Sequence, residues 1–61
     1  MYIVFRIYSD QGTICEDGGD NFINILNALA IYLEDPACIG VKVWQSESDK
    51  FIVDYWKEGC H

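Results

Sequence analysis

Apolar and polar positions change period twice along the chain. Residues 2–8, YIVFRIY, alternate in the manner of a strand, with Ile3, Phe5 and Ile7 on one side and Tyr2, Val4, Arg6 and Tyr8 on the other. Residues 20–34, DNFINILNALAIYLE, switch to helical spacing. At about 100° per residue, Phe22, Leu26, Leu29 and Leu33 form one stripe, flanked by Ile23, Ile25, Ala30 and Tyr32. Asn24, Asn27, Glu34 and Asp35 lie opposite, and Ile31 alone interrupts that polar side as a candidate contact residue. Two further alternating runs follow, CIGVKVWQ (38–45) and KFIVDYWK (50–57).

The residues between these runs act as punctuation. Ser9-Asp10-Gln11-Gly12 is a turn, with Gly12 available for positive φ. Thr13 to Glu16 continue as a short strand, and the turn type decides whether Ile14 or Cys15 faces inward. Glu16-Asp17-Gly18-Gly19 then breaks that strand and leads into the helix. Asp20 or Asn21 caps the helix, and Pro36 stops it, because the residue before a proline is driven out of helical geometry. Ser46 to Asp49 form a polar turn. A three-residue loop at 47–49 sets Lys42 opposite Asp54, Trp44 opposite Ile52, and Trp56 opposite Gly40.

The fold class that follows is α+β, a single ββαββ domain over residues 1–61. It is a four-stranded, mostly antiparallel sheet with one helix packed on one face. A grasp-like roll with the first and last strands adjacent is preferred, and a simple antiparallel order is the alternative. Ile39, Val41 and Val43, and then Phe51, Val53 and Tyr55, are expected to face the helix. Cys38, Gly40, Lys42, Trp44, Ile52, Asp54 and Trp56 are expected on the other face.

Composition bounds what such a fold can do. A chain of 61 residues buries only about 60% of its unfolded surface, so one sheet-on-helix core is the limit. The 51% apolar share is too high for a disordered chain. No apolar run approaches the roughly 20 residues that span a bilayer. MYIVFRIYSD lacks the basic start of a signal peptide and is expected to be a strand. The odd count of three cysteines, without a CxxC pair, points to a reducing cytoplasm. Cys38 and Cys60 fall near each other on the outer face, where oxidation could join them incidentally. Cys60-His61 is the one local pair of metal-ligand type, and no metal is expected.

Nor is enzymatic chemistry expected. The single histidine, His61, has no neighbours to orient it, so no Ser-His-Asp or Cys-His set can be assembled. The carboxylates lie in exposed turns, where burial does not tune them. Gly18-Gly19 lacks the lysine and spacing of a phosphate loop. No cofactor is implied.

Two features suggest binding instead. The sheet face away from the helix is expected to show Tyr2, Arg6, Tyr8, Lys42, Trp44, Ile52 and Trp56, more aromatic than a solvated face normally is. The acids number ten against four bases, for a net charge of −6, and all but Asp54, which stays in the middle with Arg6 and Lys42, gather at the two ends of the fold. Glu16, Asp17, Asp20, Glu47 and Asp49 form one pole, and Asp10, Glu34, Asp35 and Glu58 the other. Such a charge repels nucleic acid and attracts basic protein surfaces.

With the clusters EDGGD (16–20), ED (34–35) and ESD (47–49) around a compact core, the chain resembles the small acidic proteins that phages and mobile elements use against bacterial defences, notably anti-CRISPR proteins. The resemblance covers the whole length and implies binding to a defence effector, in some cases as a DNA mimic, in the cytoplasm of a bacterial or phage-infected cell. The expected function is a non-enzymatic inhibitor that occupies a basic, nucleic-acid-binding surface of a protein partner. The alternative is a self-associating structural or accessory module, dimerising through Tyr2, Tyr8, Trp44 and Trp56.

Overall fold

Asn21 sets the point from which the helix starts. Its side chain accepts hydrogen bonds from the backbone N–H groups of Ile23 (3.0 Å) and Asn24 (3.2 Å), satisfying donors that have no partner inside the first turn. Helix α1 therefore runs Phe22–Glu34. It ends at Asp35, whose N–H turns back to the Tyr32 carbonyl ahead of Pro36. The computed structural model describes residues 1–57, and around this helix it places strands β1 (Tyr2–Tyr8), β2 (Gly12–Gly19), β3 (Cys38–Gln45) and β4 (Lys50–Trp56).

The α+β class and the ββαββ order are as the pattern indicates. The strands form one sheet in the order β2-β1-β3-β4, antiparallel at every step. The grasp-like arrangement is thereby corrected, since β3 rather than β4 lies beside β1. The connection explains why: only Asp35-Pro36-Ala37 separate α1 from β3, and Ser9 N–H bonds the Ala37 carbonyl, tying the start of β3 to the end of β1. The next strand can then pair only on the outer side of β3.

The facing of β1 is the reverse of the expected one. Val4 and Tyr8 are buried under the helix with Val41, Val43, Ile25, Leu29 and Cys38, while Ile3, Phe5 and Ile7 lie on the open side. Both parities of YIVFRIY hold large apolar side chains, and alternation alone favours burying the one without Arg6. Register decides otherwise: Val4 lies opposite Val43, and Arg6 opposite Val41. The helix stripe is also turned, with Ile25 and Leu29 at its centre and Leu26 left 45% exposed.

Two shifts of register account for the remaining differences. Between Ile7 and Tyr8 the β1–β3 pairing slips, so Tyr8 meets Cys38 and the expected core residue Ile39 is displaced to a half-buried position. Cys38, expected outside, is fully buried with its thiol 3.4 Å from the Gly40 carbonyl. Between Val43 and Trp44 the β3–β4 pairing slips as well, because four residues (46–49) rather than three form the loop, with Asp49 at φ 53°. Lys42–Asp54 and Gly40–Trp56 pair as expected, but Trp44 meets Phe51 instead of Ile52. Gly12 turns the first hairpin at φ 77°, and Ile14, not Cys15, is the inward residue of β2.

Core and surface positions of α1 should separate cleanly in stability. Ile25→Ala is expected to cost about 2–4 kcal/mol. Ile31→Ala, at a side chain 66% exposed, should stay within about 0.5 kcal/mol. Urea unfolding of the two variants measures both.

Candidate interaction surfaces

The open sheet face is built in three rows by the cross-strand register. The first runs Asp17, Ile3, Trp44, Phe51; the second Cys15, Phe5, Lys42, Asp54; the third Thr13, Ile7, Gly40, Trp56. Phe5 and Phe51 meet across β3 with ring centroids 5.6 Å apart. The Lys42 ammonium lies 5.6 Å from the centroids of both Phe51 and Trp56, and 4.0 Å from Asp54. Asp54 also accepts from the Trp56 indole N–H at 3.0 Å. The polar centre of the face is thus satisfied within the chain, so covering it costs less than burying bare charges would.

Of the residues expected on this face, Lys42, Trp44 and Trp56 are there. Ile52 is exposed at the register shift, and Phe51 takes its expected place beside Trp44. Tyr2, Arg6 and Tyr8 are not on the face. All three lie on the helix side, because they share the parity of Val4. Tyr2 packs on Phe22 with centroids 5.5 Å apart. Phe5, Ile3, Ile7 and Phe51 are the face residues that sequence reasoning missed. The signal within β1 points the other way, since the parity of Ile3, Phe5 and Ile7 is wholly apolar while the other carries Arg6.

Arg6 shows what replaced the expected arrangement. Its Nη2 pairs with Glu16 Oε2 at 3.0 Å, its Nη1 donates to the Tyr8 hydroxyl at 3.3 Å, and its Cζ lies 4.7 Å from the Tyr32 ring centroid. The Tyr32 hydroxyl donates to the other Glu16 oxygen. That hydrogen bond, then burial, then the charge of Glu16 raise the Tyr32 phenol above its ordinary value of 10.0. Glu16 is therefore committed inside the fold and leaves the acidic pole.

The other expected pole acids among the described residues lie toward the ends of the elements and in the turns. The turns at one end bring together Asp17, Asp20, Glu47 and Asp49, with the Met1 amino group 2.7 Å from Glu47 and 3.1 Å from Asp20. At the other end, Asp10, Glu34 and Asp35 are exposed, and Lys57 Nζ caps the Asp35 carbonyl at 2.8 Å. Glu58, Cys60 and His61 lie outside the described residues. Among the described residues, Asp10, Asp17, Glu34, Asp35 and Asp49 form no ion pair. Ile31 shares the outer side of α1 with Ile23, which is comparably exposed.

No group of three metal-ligand side chains occurs among the described residues. No helix is long and apolar enough to cross a membrane. Comparison with protein-family models, with curated proteins and with solved structures finds no match to this chain.

The raised phenol pKa has a defined sign. The neutral form is favoured in the folded state, so its contribution is fully present below 10.0 and is lost as pH climbs through and beyond that value. Urea midpoints compared between about pH 8 and about pH 11 should therefore fall less in Tyr32→Phe than in the wild type. Gly40→Ala tests the face itself: an added Cβ would lie 2.9 Å from the Tyr55 carbonyl and 3.1 Å from Trp56. A loss of about 1–3 kcal/mol is expected, with a shift in Trp56 fluorescence.

Proposed function

We propose that the chain is a non-enzymatic protein-binding module. Its open sheet face docks on a basic, nucleic-acid-binding surface of another protein and inhibits it by occupying that surface. The observation that carries this is the face itself, with Ile3, Phe5, Ile7, Trp44, Phe51 and Trp56 around a polar centre already paired as Lys42–Asp54. Tryptophan and other large rings on a rigid, uncovered sheet are the residues that dominate binding energy in protein interfaces. Unpaired carboxylates at both ends of the face supply complementarity to a basic rim, which directs encounter and orientation more than it adds affinity. The same charge makes a direct nucleic-acid ligand unfavourable, despite the aromatic platform.

Guide-RNA-loaded CRISPR nucleases, assayed for capture of target DNA, are the partners on which to measure this inhibition. Trp44→Ala and Phe51→Ala should each weaken it by about tenfold or more. The reversal Asp10→Lys, Asp17→Lys, Asp49→Lys, at carboxylates that form no ion pair among the described residues, should weaken it further and flatten its salt dependence. Glu16 is left untouched because reversing it would break the Arg6 cluster rather than probe the surface. Inhibition that is indifferent to the triple reversal rules out the basic-surface docking. If no nuclease of the panel loses DNA capture, the inhibitor assignment fails.

A further inference from the structure

The large apolar side chains left most exposed on the sheet are concentrated on one strand. Phe51 is 54% exposed, Tyr55 50%, Ile52 40% and Trp56 38%, all of them on β4. The register shift at Ile52 divides the strand, so Phe51 and Trp56 turn to the open face while Val53 and Tyr55 turn to the helix side. Helix α1 lies over β3 and β1, and Tyr55 is left without a roof. Apolar surface therefore wraps this sheet edge from both sides.

The backbone of that edge is ready to pair. Lys57 N–H donates to the Ile39 carbonyl at 2.9 Å. Bonded residues alternate along an antiparallel ladder, so Tyr55 and Val53 also turn toward β3, while Asp54 and Trp56 direct N–H and C=O outward. The opposite edge is different. Strand β2 carries Glu16 and Asp17, and its pairing is interrupted beside Gly18, features that blunt an edge against further strands.

We propose that β4 of one copy pairs antiparallel with β4 of a second copy about a two-fold axis at Tyr55, merging two sheets into one of eight strands. In that register Asp54 of each copy forms the bonded pair with Trp56 of the other, both on the open face. The two Tyr55 rings adjoin on the helix side, and Lys57 lies along Val53. The stretch 53–57 holds one acid and one base, so two chains of net charge −6 approach where their local charge is zero. An axis at Asp54 would set two carboxylates opposite each other, which is unfavourable. An axis at Val53 would pair residues whose facing is reversed by the shift at Ile52. The assembly closes at two copies, because the edges that remain are the two acidic β2 strands.

The docking of the open face on a basic partner is a separate matter, and salt distinguishes them. Screening weakens docking on a basic surface but strengthens association between two acidic copies. Amide exchange of the wild-type chain is the direct test. Exchange at Asp54 and Trp56 should slow several-fold as concentration rises from about 10 µM to about 1 mM, and sedimentation should show a dimer that tightens with added salt. Tyr55→Lys, folded by circular dichroism, should remain a monomer, whereas Phe5→Ala should still dimerise. A wild-type monomer at about 1 mM overturns the proposal. So does a dimer that survives Tyr55→Lys, or one lost in Phe5→Ala and Trp44→Ala instead, which would place self-association on the open face.

Discussion

A guanidinium in the middle of a central strand needs partners, and Arg6 finds those of its two terminal nitrogens beneath the helix, while its buried Nε has none among the described residues. Glu16 reaches it from β2, Tyr8 from two positions along β1, and the Tyr32 ring covers it from α1. Three of the five elements thus converge on one cation at a half-buried site, where an unpaired charge would be costly. Because side chains alternate along a strand, holding Arg6 inward also holds Tyr2, Val4 and Tyr8 inward. It leaves Ile3, Phe5 and Ile7 outside. The pairing of Val4 with Val43 then extends that choice to β3.

The surface character of the molecule follows from this one facing. Had β1 turned the other way, its outer side would have carried a charge and two phenol hydroxyls. Instead the open face is apolar on the central strand and aromatic on β3 and β4, with its one cation and the acid beside it already matched. Apart from Glu16 and Asp54, which pair with Arg6 and Lys42 inside strands, the described acids lie in the turns and toward the ends of the elements. A dry centre with charged ends is the general plan of a protein interface, in which charged residues are depleted from the core of the patch.

The element types, the order of the elements, the Asn21 cap region, the Pro36 stop and the Lys42–Asp54 pairing were all legible in the sequence, because each depends on neighbours within a few residues or on one hairpin. What was not legible depends on contacts between distant segments. One parity of YIVFRIY is wholly apolar and the other carries Arg6, yet the match of Arg6 to Glu16 and Tyr32, with the Val4–Val43 register, buries the second. Cys38 and Ile39 exchange roles through a register slip that no local residue announces. Trp44 and Trp56 were placed correctly because β3 has a single strongly apolar parity at Val41 and Val43. Tyr2 and Tyr8 were misplaced along with Arg6.

The register shift at Ile52 makes the length of the last hairpin a phase setting. Upstream of it, Phe51 is displayed on the open face; downstream, Val53 completes the core. Removing one residue of the 46–49 loop, with the extra residue at Ile52 drawn into the pairing, would not merely shorten a loop. It would set Ile52 opposite Trp44 and rotate the start of β4 by half a turn, exchanging the ring at position 51 for the ammonium at position 50. Elsewhere on the surface, as at the turn between β1 and β2, gain or loss of a residue leaves the flanking faces free to keep their identities. Relatives of this chain should therefore vary in length at the first turn long before they vary at the second.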